Sequence, residues 1–273
     1  MKSKKKFVLA GLMLLATVLV LPLVGCDTGS GGGTDGNGGN GEEYTVTLPG
    51  TVVRDGIRIY GGELLPKTSE VQVLSEAVDL SSLYKDGVDS QVFISGRSGT
   101  IKPFVMGQYE VTQQLYEAVM GSNPSGYISN VAAGETQELR PVEKVSWYDA
   151  VVFCNKLSQR MGLEPVYSND GTTDTSTWGE VPTYRDYWRN TITCDFAKSG
   201  YRLPTEAEWE LAARGGKPEA EEWKYTYAGS STIDGVAWYS DNSSYKTHEV
   251  GTKDPNGLKL YDMSGNVAEW CWD

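Results

Sequence analysis

Between Asp27 and Glu43 the chain carries no aliphatic or aromatic side chain. No hydrophobic core can include this run, so a packed body must form from the residues after it. The run is rich in glycine, with scattered Ser, Thr, Asn and Asp, which is the composition of a flexible tether. At roughly 5–6 Å × √n its reach is about 20–25 Å. On its N-terminal side Lys2, Lys4, Lys5 and Lys6 precede an almost wholly apolar stretch from Phe7 to Gly25, and Cys26 follows. A positive patch before a short apolar stretch reads as a secretory signal. An uncleaved anchor is the alternative, because the stretch is nearly long enough to span a bilayer. Pro22 within it and the small Gly25 before Cys26 favour cleavage.

Leu23-Val24-Gly25-Cys26 resembles the lipobox of bacterial lipoproteins. That resemblance implies that residues 1–25 are a signal peptide and that Cys26 becomes a lipidated N-terminus. Residues 26–43 are then the lipidated cysteine and its tether. The expected location is extracytoplasmic, anchored to a bacterial membrane by lipid, in an oxidising setting.

Charge and composition narrow the function classes. The formal net charge is −12, and without the four lysines of residues 1–25 it becomes −16. Such a body is repelled by phosphate backbones, which excludes nucleic acid as a partner. Disordered acidic chains are poor in aromatics, whereas this one has Trp 8 and Tyr 16, so a packed body is expected. The one histidine, His248, excludes sites needing two or more, including most catalytic zinc centres. A lone loop histidine reads as a hydrogen-bonding surface residue, and His248 is given no role.

From Tyr44 to Pro103 short alternating runs (Tyr44–Leu48, Val71–Leu74, Val92–Ile94) are broken by glycines and read as strands and turns. Three helices are better marked. Thr112 caps one that runs to Met120 and stops at Gly121. Ser146 opens a second, with Asp149 at the capping-box position and an apolar stripe through Cys154, Leu157 and Met161 before Gly162. Thr205 starts the third, with Glu208 three residues on and Gly215 after Arg214. Residues 163–203 and 215–260 are long and irregular, with scattered tryptophans that can pin loops to a core. The expectation is an α+β body with little regular structure and much ordered loop.

Four stretches together resemble the sulfatase-modifying-factor, or formylglycine-generating-enzyme-like, family. They are Tyr109-Glu110-Val111-Thr112, Pro141 to Trp147 (PVEKVSW), Tyr201 to Glu210 (YRLPTEAEWE) and Gly257 to Trp270 (GLKLYDMSGNVAEW). Ala268 departs from the family, which usually has tryptophan there. The resemblance implies a C-type-lectin-like α+β fold with a small twisted sheet, two to three helices and long ordered loops. It covers residues 92–273, with residues 44–91 as an N-terminal β-rich part. It also implies a further Arg- and Gly-rich segment, so the chain, ending in Trp270-Cys271-Trp272-Asp273, is expected to be C-terminally incomplete.

The resemblance sets the expected chemistry. Family oxidases convert a cysteine of an unfolded sulfatase to formylglycine and use a cysteine pair that binds copper(I), a soft ion suited to thiolates. Cys154, Cys194 and Cys271 do not match that pair, so no catalytic residue is assigned. Copper is expected only if a missing C-terminus supplies the cysteines. Cys154 lies on an apolar stripe, and its pairing with Cys194, with a cysteine beyond the chain, or with none stays open. The family's calcium site maps onto Asp262, Gly265, Val267 and Glu269. Two carboxylates and two backbone carbonyls are hard oxygen donors. The alternative is that Asp262 caps a turn and Glu269 pairs with an arginine. Arg202 with Glu206 and Glu208 reads as a structural charged cluster. Loops carrying Tyr184, Tyr187, Trp188, Tyr225, Tyr227 and Tyr245 either pin themselves to the core or form a recognition surface for a protein or peptide ligand. Three functions remain: a lipid-anchored family domain without oxidase activity, a surface ligand-binding module, or an oxidase whose catalytic end lies outside this chain.

Overall fold

Hydroxyl-capped helices set the framework. Helix α1 spans Gln113–Met120, with the Thr112 side chain accepting from the Leu115 N–H and Gly121 closing it at φ 83°, a left-handed conformation that a side chain would strain. Helix α2 spans Trp147–Arg160 behind a complete Ser146–Asp149 capping box. The single-turn α3 covers Trp188–Thr191. Helix α4 spans Glu206–Ala213 behind a Thr205–Glu208 box, and α5 is a further single turn, Ile233–Val236. The three longer helices begin where the sequence expects them.

The structure, a computed structural model, describes residues 100–183, 188–216 and 221–273, together with the backbone of short strands between residues 15 and 79. The expected lipid-attachment residue Cys26, the tether, and the expected strands at 44–48 and 92–94 lie outside the described residues. The strands are short. In chain order they are β1 Leu15–Ala16, β2 Val20–Pro22, β3 Thr51–Arg54, β4 Ile57–Tyr60, β5 Glu63–Leu65, β6 Glu70–Gln72, β7 Val78–Asp79, β8 Thr100–Ile101, β9 Phe104–Gly107, β10 Tyr167–Asn169, β11 Ile192–Cys194 and β12 Ala268–Glu269. Strands β2 and β6 flank β9 antiparallel, β3 to β5 form a meander, β7 pairs with β8 and β10 with β11. Strand β1 lies parallel to β12. Cleavage before Cys26 would remove β1 and β2 and free one edge of β9.

Two apolar clusters form the core. One packs α1 and α2 against Val142, Val145, Tyr167, Tyr201 and Leu203. The other packs Phe104 and Met106 against Ala207 and Leu211 of α4, with Leu260 and Met263. The long irregular segments are held as expected: Trp178, Trp188 and Trp223 are buried, and Trp178 meets Trp188 edge to face with ring centroids 5.7 Å apart. The last residues also belong to the core. The Trp272 ring lies 5.3 Å from Trp147 and 5.1 Å from Tyr167, centroid to centroid. The Trp272 N–H donates to Pro204 O at 2.8 Å, and the Trp270 indole N–H donates to Val145 O at 2.9 Å.

Of the expected charged cluster, only one pair forms. Arg202 holds Glu208 through two hydrogen bonds of 2.7 Å each, and both residues are buried. Glu206, on the exposed side of the same turn, takes no part. Glu208 also caps α4, accepting from the Thr205 N–H at 2.8 Å. Removing one partner of such a pair leaves a buried uncompensated charge. Arg202→Ala is therefore expected to destabilise the protein by about 3–5 kcal/mol in a urea-unfolding measurement. A loss below about 1 kcal/mol, the range of an exposed pair, would contradict this account.

Candidate metal centre

The turn from Asp262 to Glu269 is shaped by residues in unusual conformations. Asp262 and Asn266 both have positive φ, at 59° and 64°, a region that short polar side chains tolerate by bonding locally. Gly265 has no alternative, because a Cβ there would sit 2.2 Å from the Trp238 carbonyl oxygen. The Gly265 N–H donates to Asp262 O at 3.1 Å and the Asn266 N–H to Trp238 O at 2.8 Å. The Asn266 side chain ties the turn to its surroundings. Its oxygen accepts from the His248 N–H at 2.9 Å, and its amide donates to His248 O at 3.1 Å and to Glu110 Oε2 at 2.8 Å.

The carboxylates sit around this turn. Asp262 is 2% exposed; its Oδ2 accepts from the Gly251 N–H at 2.8 Å, and its Oδ1 is buried with no partner. Glu269 Oε2 accepts from the Trp209 indole N–H at 2.5 Å, and its Oε1 is likewise buried and unpartnered. Burial pushes the Asp262 carboxyl up to about 6, against the Gly251 hydrogen bond and the nearby His248. Burial pushes Glu269 up to about 8, against the Trp209 hydrogen bond, and the Asp262 charge adds to the rise. Glu110 is 2% exposed and rises well above the usual range through burial first, then the charges of Asp262 and Glu269.

The family resemblance implies Asp262, Gly265, Val267 and Glu269 as one ligand set, and the structure carries them on one short turn that runs into β12. Glu269 takes an indole donor rather than an arginine, and Asp262 receives the Gly251 N–H from the loop just before it. Among the described residues no three His, Cys, Asp or Glu side chains converge as a metal cluster. An ion here would rely on backbone carbonyls as well as the two carboxylates. The two orphaned oxygens fit that role. A buried acceptor without a donor is costly, and a hard cation with oxygen ligands removes the cost. Burial raises the thiols of Cys194 and Cys271 to about 12 and that of Cys154 further, so none of them is a free thiolate at neutral pH.

Two sequence readings need correction or division. His248 is not a surface residue: it is 4% exposed. Its ring stacks on Trp238 with centroids 3.8 Å apart, its Nδ1 faces Glu135 Oε1 at 2.7 Å, and its Nε2–H donates to Ser243 O at 3.0 Å. Burial between the Trp238 ring and Glu135, the latter 113 residues away in sequence, is what the loop context concealed. The aromatic loops divide. Trp188 is buried, Tyr225 and Tyr227 are half-buried, and Tyr245 is 83% exposed; Tyr184 and Tyr187 lie outside the described residues. Ile128, 60% exposed, lies on the loop tied to that of Tyr245 by the Lys246 amine, which donates to Asn130 O at 3.0 Å.

Comparison with known proteins follows the same lines. The profile described as the sulfatase-modifying factor enzyme 1-like domain matches residues 49–273. The protein named chaperone protein LppX, from Paenibacillus barcinonensis, is 41% identical over 197 residues, covering 66% of this chain and 65% of that protein. A formylglycine-generating enzyme of Thermomonospora curvata is 27% identical over 203 residues, covering 65% and 62%. The chain thus spans a little under two thirds of the length of these relatives. Among solved structures, Treponema denticola variable protein 1 matches with a TM-score of 0.66 at 38% identity, covering 80% of this chain and 76% of that one. CarF matches with a TM-score of 0.55 at 32% identity, covering 75% and 80%. The C-type-lectin-like α+β fold expected from the sequence is borne out.

The raised carboxyls give a pH test. Asp262 and Glu269 hold their protons more tightly folded than unfolded. Their contribution to stability is therefore fully present below the unfolded carboxyl range, and it is lost as pH rises through about 6 and then about 8. With chelator present, the thermal midpoint is expected to fall across that window, and calcium to abolish the fall. A flat profile in chelator, or a fall that calcium leaves unchanged, would contradict the centre.

Proposed function

The chain belongs to the sulfatase-modifying factor enzyme 1-like family, and we propose that it is a lipid-anchored extracytoplasmic member without oxidase activity. The observation that carries the second half is the state of its sulfur. Cys154 is buried on α2, and Cys194 and Cys271 are raised to about 12 by burial. A thiol held protonated at neutral pH is a poor nucleophile, because the thiolate is the reactive form. Export and anchoring rest on the basic and apolar N-terminus, the Leu23–Cys26 pattern and the tether. The similarity to a relative named LppX supports them.

In this reading the domain is a scaffold for contacts. Asp262 and Glu269, with the Gly265 and Val267 carbonyls, would hold calcium, whose chemistry here is charge neutralisation of a buried turn. The residues themselves bind, orient and exclude water: Trp209 and Gly251 fix one oxygen of each carboxylate, and Met263 closes the turn against the second core cluster. A second reading, a surface ligand-binding module, is favoured by Tyr245 and Ile128, which stand exposed on loops whose backbones are tied down. An aromatic and an aliphatic side chain presented on fixed loops suit a protein or peptide ligand. The name of the 41%-identical relative, a chaperone, agrees with such a partner.

The test is direct. The full chain, supplied with copper(I), oxygen and a cysteine-containing sulfatase peptide, is expected to consume no oxygen above the rate of the free ion. Expressed with its N-terminus in a bacterium, it is expected to carry lipid at Cys26, read by mass spectrometry, and Cys26→Ala to lose it. Turnover of the peptide would overturn the first claim, and an unmodified Cys26 the second.

A further inference from the structure

Glu110 lies outside the ligand spacing that the sequence marks, yet its carboxylate holds the turn that carries those ligands. It comes from the Tyr109–Thr112 stretch just before α1, more than 150 residues from its partners. Its Oε1 accepts from the Val267 N–H at 3.1 Å, and its Oε2 accepts from the Asn266 amide at 2.8 Å. Both oxygens are thus engaged by protein donors on the turn. The Asn266 side chain and the Val267 N–H are thus both held. These bonds restrain the backbone between Gly265 and Val267, whose carbonyls flank the Asn266–Val267 peptide. These contacts also hold Asn266 at its left-handed φ of 64°, a conformation that asparagine tolerates.

The charge matters as much as the hydrogen bonds. Glu110 is 2% exposed, and so is Asp262; Asp262 and Glu269 each leave one oxygen unpartnered in the same buried region. Asp262 and Glu269 act on Glu110 electrostatically. A structural clamp alone needs only acceptors, which a neutral side chain could partly provide. A third buried carboxylate is unfavourable unless a cation offsets it.

We infer that Glu110 is a positioning residue for a hard divalent cation held by Asp262 and Glu269, acting through the Asn266–Val267 peptide and through its own charge. This rests on the reading that Asp262 and Glu269 hold such an ion. Outer partners of this kind typically change metal affinity by about 10- to 100-fold when removed.

The experiment is calorimetric titration of the chelator-stripped full chain with calcium, for wild type, Glu110→Gln and Glu110→Asp, with thermal midpoints read in calcium and in chelator. Glu110→Gln is expected to weaken calcium binding by about 10- to 100-fold and to lower the midpoint more in calcium than in chelator. Glu110→Asp keeps the charge at shorter reach and should recover part of the affinity. A Gln variant within about twofold of wild type, or one that loses the same midpoint in both conditions, overturns the role of Glu110 and leaves the cation site standing. A wild type that takes up no calcium overturns the site and the inference together. Should the Gln variant not fold, a Glu110→Asp variant with wild-type affinity is the overturning result.

Discussion

The Glu110, Asp262 and Glu269 carboxylates are drawn out of water around one turn, and the domain is tied together by the groups that meet them there. Glu110 arrives from the first motif, before α1. Trp209, on α4 in the third motif, donates its indole N–H to Glu269. Asp262 to Glu269 is the fourth motif, and it continues directly into Trp270 and Trp272, which close on Val145, Trp147 and Pro204. The Trp147 indole in turn donates to Cys271 O at 3.0 Å, bringing in the second motif. A carboxylate buried without full compensation is expensive. Each hydrogen bond to it offsets part of that cost, and the proposed cation at the two orphaned oxygens would offset the rest.

The same burial that makes the acids demanding also raises the thiols. Desolvation opposes the charged form of any acid, so it raises carboxyls toward neutrality and thiols far above it. A carboxylate can recover its charge by binding a hard ion. A buried thiol with no cationic partner of sufficient strength stays protonated, and Arg202, the cation nearest Cys194, is already committed to Glu208. The family fold alone therefore decides neither metal binding nor redox chemistry, since function is carried by the site and not by the fold.

What the sequence makes legible is what is local. The capping boxes at Ser146–Asp149 and Thr205–Glu208 lie within one helical turn and form as read. The span from Asp262 to Glu269 is short enough to lie on one turn, but its reading as a ligand set comes from the family resemblance and not from the spacing alone. Glu110 is printed in a motif but its partners are 156 and 157 residues away, and no periodicity reports such a contact. His248 looked exposed because its burial comes from Trp238 and Glu135, one of them 113 residues distant. The choice between Glu206 and Glu208 for Arg202 needed the direction of each side chain on α4, which the capping bond decides. The tryptophan pins were legible as a class, while Trp238 departs from it: its faces are taken by His248 and by the Lys253 amine, 4.1 Å from a ring centroid.

Terbium luminescence tests the centre most directly, because the Trp209 indole lies against Glu269 and would transfer energy to a hard ion bound there. Tryptophan excitation of the chelator-stripped protein with terbium should give sensitised emission that calcium displaces. That emission should be largely lost in Trp209→Phe and in Asp262→Ala. Absence of sensitised emission from the wild type, or emission that survives both substitutions, would contradict the claim that this buried turn is built around a cation.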